Sequence, residues 1–145
     1  MSKRINELFL FDIYISIKKI VHHSNKFNNG EELQYSYVDW DVVVREFEII
    51  GEATNNLIKS GYFTKNKRAI VDFRNLLIHE YFGISNEEVW DIIVNYLPNF
   101  ESEVRNILLQ LEDNIFYNLL LHIKNENQHI DFIIQFLKEL ENEKK

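Results

Sequence analysis

Apolar residues recur at helical spacing through nearly the whole chain, and very little interrupts them. Among 145 residues there are 4 Gly and 1 Pro, too few turn signals for a protein built of many short strands. Hydrophobic side chains make up 46% of the sequence, enough for a packed core rather than a disordered chain. The chain is therefore expected to be all-α. A chain of this length folds as one domain and buries roughly two-thirds of its unfolded surface. It needs no metal or disulfide to hold it together.

The first apolar run spans residues 3–24, from Ile5 to Val21, with Lys18, Lys19, His22 and His23 towards its end. Cations there suit the negative pole of a helix. Adjacent histidines point about 100° apart on a helix, so this pair is read as helix-end or surface chemistry rather than as a metal site. Residues 24–35, rich in Asn, read as a loop. A second helix should start near Ser36 or Asp39, either of which can cap it, and end at Ser60-Gly61. Gly51 inside it costs about 1 kcal/mol against Ala, which implies close approach by another helix. Glu52 beside it reads either as a solvated residue or as a polar group facing a site.

Asn66 is expected to cap the third helix, which runs towards Tyr81 and stops at Gly83. Ser85 and Glu88 form a capping box, the clearest helix start in the sequence. Pro98 lacks an N–H and crowds the carbonyl of Val94. A kink is expected, because Phe100, Val104, Ile107, Leu108 and Leu111 keep the spacing. Residues 1–113 thus read as an antiparallel bundle of roughly four to five helices. Residues 114–145 read as a C-terminal helical extension with its own stripe: Phe116, Leu119, Ile123, Ile130, Ile133, Leu137 and Leu140, broken by a polar turn at 125–128. Such a stripe needs a surface to cover, on the bundle or on a partner chain.

Function is signalled by one stretch, Arg74-Asn75-Leu76-Leu77-Ile78-His79-Glu80-Tyr81. The guanidinium is a permanent planar cation suited to phosphate. The imidazole moves protons near neutral pH, and Tyr81 adds a hydroxyl. Three such groups inside an apolar run are rarely demanded by packing. Arg74 and Tyr81 share a helix face, whereas His79 lies about 140° from Arg74. Either the helix distorts near its end, or two copies of the chain build the site together. Lys65, Lys67 and Arg68 make the most basic stretch of the sequence and are candidates for RNA contact.

Composition narrows the chemistry. Cys is absent, which excludes disulfides, thiolate catalysis and Cys-type zinc sites. No carboxylate cluster with convincing metal-ligand spacing is present, and no metal or cofactor is expected. The formal net charge of −7 argues against avid nonspecific binding to nucleic acid, which depends on neutralising phosphates. No signal peptide or long apolar segment is evident, so the expected location is the cytoplasm, without a membrane partner.

The spacing Arg-x4-His-x-Tyr resembles the signature of the HepT-like ribonucleases, a branch of the HEPN superfamily. Ile49-Ile50-Gly51-Glu52-Ala53, Phe73-Arg74-Asn75, His79-Glu80-Tyr81, Val89-Trp90 and Leu97-Pro98 match the family in order, over roughly residues 4–112. The tail exceeds the usual family length. The resemblance implies a HEPN-like bundle, dimeric or higher, with the motif at the interface. It implies metal-independent RNA cleavage by attack of the ribose 2′-hydroxyl. His79 would then be the general base or acid, Arg74 the phosphate ligand, and Asn75 an auxiliary that orients either. It further implies the toxin of a type VII-like toxin–antitoxin pair, neutralised when a minimal nucleotidyltransferase antitoxin transfers AMP to Tyr81. The alternative is a non-catalytic nucleotide-binding module, or the substrate-side subunit of a nucleotidyltransferase.

Overall fold

The computed structural model describes residues 4–80 and 83–145 and is all-α, with no strand among the described residues. The organising element is α1 (Asn6–Ser24). Most side chains from Leu8 to Ile20 are buried, including Leu10, Phe11, Ile13, Ile17 and Ile20 with no exposed surface, while Phe9, Asp12, Lys18 and Lys19 are half-buried. A helix apolar over most of its surface must be largely surrounded, and α1 contacts α3, α6, α7 and α8. Each fully buried Leu, Ile or Phe contributes about 1.5–3 kcal/mol by leaving water.

The long α3 (Tyr37–Lys59) lies antiparallel to α1. Ser16 Oγ donates to Glu46 Oε1 at 2.9 Å, and one helix end further on His23 Nδ1 lies 2.8 Å from Asp39 Oδ1. On the far side of α3 sits α4 (Arg68–His79), also antiparallel, with Arg68 bonded to Asn55 and Phe73 edge-on to Phe47. The order across the bundle is therefore α4, α3, α1, α6.

Some helix boundaries differ from the sequence expectation. The loop expected at 24–35 contains a short helix, α2 (Gly30–Tyr35). Asn29 caps it by accepting from the Glu32 N–H at 2.9 Å. Its only buried side chain is Leu33, so it carries no periodic signal. Ser36 occupies the cap position of α3, but its hydroxyl donates to Asp39 rather than capping a backbone N–H. Asn66 does not cap α4. It sits in a 3-10 turn, Lys65–Lys67, where its side-chain oxygen accepts from the Thr64 hydroxyl. Gly83 is not the C-terminal stop of α4 either, because that helix ends at His79.

Ser85 caps α5 (Asn86–Asp91) as expected, accepting from the Glu88 N–H at 3.2 Å. The helix then passes through a π-helical segment, Ile92–Tyr96, into α6 (Leu97–Gln110). Pro98 sits in the first turn of α6, where a missing N–H costs least. The wide π turn resolves the clash with Val94 by changing register without breaking the rod. The tail forms a hairpin of α7 (Asp113–Glu126) and α8 (Asp131–Lys144). Phe116, Leu120, Ile123, Ile133, Leu137 and Leu140 are buried in the same core as α1. Near the end of α8, Lys144 donates to the half-buried carbonyls of Leu109 and Leu111 at the C-terminus of α6.

Candidate active site

The α3–α4 crossing places the first functional side chain. A Cβ on Gly51 would lie 2.2 Å from Arg74 Cβ and 2.5 Å from Arg74 Cγ. Gly51 is the small residue that lets α4 lie against α3, and Arg74 leaves the helix directly over that gap. Its Nη1 donates to Glu52 Oε2 at 2.7 Å. The Arg74 side chain is 16% exposed and that of Glu52 59%. Glu52, readable from sequence as surface or as site, is the ion-pair partner of the motif arginine. Arg74 Nε is buried and has no hydrogen-bond partner among the described residues. The guanidinium forms one wall of an open cleft of about 300 Å³, lined also by Phe9, Asp12, Arg45, Glu48 and Ile78.

His79 is the last residue of α4 and is exposed. It makes no hydrogen bond or ion pair among the described residues. The helix is regular from Arg68 to His79, so the offset of about 140° between Arg74 and His79 persists. Ile78 lines the Arg74 cleft and His79 does not. Asn75 is half-buried on the same helix. Tyr81, the third group of the motif, lies outside the described residues.

The basic stretch is dispersed by the fold. Lys67 turns to α6, where its Nζ lies 2.6 Å from Glu103 Oε2 and 5.5 Å from the centre of the Phe100 ring. Arg68 donates to Asn55 Oδ1 at 3.1 Å and lies 3.6 Å from Asp72. Lys65 is exposed and has no ion pair among the described residues. Sequence reasoning passed over Arg45, which lines the cleft with Arg74. The available signal was its position seven residues, about two turns, before Glu52 on the same face.

His22 stacks on Phe132 at 3.9 Å, and His23 is committed to Asp39. Among the described residues no three His, Asp or Glu side chains come together as a metal-ligand set, and no helix is long and apolar enough to cross a membrane.

The family model described as Ribonuclease HepT-like matches residues 13–107. Putative RNase MJ0127 of Methanocaldococcus jannaschii is 34% identical over 115 residues, which cover 77% of this chain and 94% of that protein. Putative RNase MJ1380 of the same organism is 34% identical over 112 residues, covering 72% of this chain and 97% of that protein. Putative RNase TTE0752 of Caldanaerobacter subterraneus subsp. tengcongensis is 41% identical over a shorter span of 68 residues, 45% of this chain and 61% of that protein. No solved structure matches the chain.

Proposed function

The chain belongs to the HepT-like ribonuclease family, and from that membership we propose that it is a metal-independent RNA endonuclease in which Arg74 and His79 carry the chemistry. The observation that carries this reading is the state of Arg74. Its guanidinium stands at the wall of an open cleft and is held at Nη1 by an exposed carboxylate, with Nε unused. A phosphodiester can displace Glu52 and take two parallel N–H donors, the geometry in which arginine binds anions best.

The nucleophile comes from the RNA itself. His79 takes the proton from a ribose 2′-hydroxyl, and the oxygen attacks the adjacent phosphorus. The bond to the 5′-oxygen breaks, that oxygen takes a proton from water, and the hydroxide left behind is neutralised by the proton His79 had accepted. The products are a 2′,3′-cyclic phosphate and a 5′-hydroxyl. Arg74 stabilises the charge that builds on the phosphoryl oxygens. The regular α4 and the position of His79 away from the Arg74 cleft support a site built by two copies, Arg74 from one and His79 from the other.

The wider role follows the family resemblance of the motif. The protein acts in the cytoplasm as the toxin of a type VII-like pair. A minimal nucleotidyltransferase antitoxin transfers AMP to Tyr81, adding bulk and negative charge near the phosphate ligand.

Single-turnover cleavage of a short RNA against the same RNA methylated at every 2′-oxygen tests the reaction. The methylated strand should resist cutting completely, and equal cleavage of both would remove the 2′-hydroxyl from the mechanism. Intact mass after co-expression with a minimal nucleotidyltransferase tests the regulation. The wild type should gain AMP masses and Tyr81→Phe should gain none; equal gain would show that Tyr81 is not the acceptor.

A further inference from the structure

The Arg74 cleft continues into a second cavity of about 520 Å³ between α1, α3 and the end of α7. The two share Asp12, Arg45 and Ile49, so Arg45 stands at their junction. The second cavity adds Ser16, Lys19, Glu46 and Asn127. It lies beside a site that needs an extended polyanion, and its charges are unequally committed.

The acids along this groove are mostly occupied. Asp12 accepts from Arg4 Nε at 2.7 Å and Nη2 at 2.8 Å, and Glu126 accepts from Arg4 Nη2 at 3.0 Å. Glu52 is paired with Arg74. Glu46 is only 7% exposed and bonded to the buried Ser16 hydroxyl. Burial pushes its carboxyl above the ordinary carboxylate range, towards the neutral form. Glu48 is the remaining acid. Against it stand Arg45 and Lys19, neither of which has an acidic group within ion-pair distance among the described residues. Both act on the buried Glu46 from a distance, and Lys19 also on Asp12, so the groove presents cations that no described carboxylate meets in a direct ion pair, within a chain whose net charge is −7.

The spacing fits a strand. Arg45 lies two turns of α3 before Glu52, about 10 Å along the axis. Lys19 lies about one turn along α1 from Ser16, which is bonded to Glu46 beside Arg45. The cavity floor is polar. Asn127 Nδ2 donates to the Ile123 carbonyl at 2.9 Å, which leaves its amide oxygen available to a base edge. Asn127 and Glu126 lie beyond residue 107, where the family match ends.

We propose that this groove binds the nucleotide flanking the scissile phosphate, with its phosphate on Arg45 and Lys19 and its base over Ser16, Glu46 and Asn127. The proposal rests on the ribonuclease reading and extends it to single-stranded RNA longer than a dinucleotide. A positively charged groove that tracks the backbone is how extended single strands are held, and here polar side chains rather than aromatic rings line it.

Binding of a fluorescent, fully 2′-O-methylated RNA, which offers no nucleophile and stays intact, is the test. Anisotropy titrations at several salt concentrations give affinity and salt slope. Arg45→Ala and Lys19→Ala should each weaken binding about fivefold and lower the magnitude of the log–log salt slope by about 0.7, one phosphate contact on a single strand. Arg45→Lys should keep the wild-type slope. Wild-type binding with unchanged affinity and slope in both alanine variants overturns the groove and leaves the ribonuclease reading standing. A wild type that binds no RNA overturns both. If Arg45→Glu instead splits an oligomer on light scattering, the groove is a face between copies and the proposal fails.

Discussion

Truncating Arg74 removes the group on which the scissile phosphate would rest. Arg74→Ala should therefore lower RNA cleavage at least about 100-fold, the scale of a lost oxyanion donor. Arg74→Lys should recover little, because an ammonium keeps the charge but not the planar fork. His79→Ala should cost at least about 100-fold as well, as the loss of an acid–base group does. Both side chains reach a cleft or the surface, so far-UV circular dichroism should be unchanged. A variant with full activity at either position would remove that residue from the chemistry. These groups could be read from the sequence because their residue types are rare inside an apolar helix. Arg45 carries only the weak signal of lying two turns before Glu52, because a lone arginine on a mixed helix face looks like ordinary surface until the cleft beside it is visible.

At the scale of elements, the α3–α4 contact depends on Gly51. Gly51→Ala puts a methyl 2.2 Å from Arg74 Cβ, so the helices must part, at a cost of about 1–3 kcal/mol. A fall in Tm of about 3–10 °C is expected. Gly83→Ala, with nothing within 4 Å of the added Cβ, should leave Tm nearly unchanged; equal effects at both sites would contradict the packing. The α1–α3 junction has a pH signature. Ser36, His23 and Lys26 hold the Asp39 carboxyl at about 2, below the ordinary 3.8. A lowered pKa stabilises the fold above the unfolded value and ceases to do so as pH falls through the folded one. Asp39→Asn should thus lower the urea midpoint at pH 7, with the gap closing between about pH 4 and pH 2. A gap independent of pH would assign the loss to packing instead. The long helices were readable because their apolar stripes recur many times. Short α2 was not, because one buried leucine makes no period. The end of α4 is less legible, because Gly83 reads as a stop whereas the helix finishes at His79.

At the scale of the molecule, the tail is the part whose place sequence left open. Its stripe required a surface but did not name one, and in the structure α7 and α8 cover α1 and α6 of their own chain. That leaves α3 and α4, with the motif and the half-exposed Ile78, as the face open to a second copy. A site built by two copies predicts complementation. Mixed Arg74→Ala and His79→Ala proteins should regain cleavage that neither has alone, since one site of the mixed dimer is intact. No recovery, together with a fully active monomer on light scattering, would place the whole site in one chain. The most direct test is the chemistry of the cut ends in the presence of excess EDTA. Wild-type protein should still cleave RNA and leave 2′,3′-cyclic phosphate and 5′-hydroxyl ends, and His79→Ala should leave the RNA intact. Cleavage that stops in EDTA and returns with a divalent ion, or that leaves 3′-hydroxyl and 5′-phosphate ends, would contradict a metal-independent attack by the ribose hydroxyl.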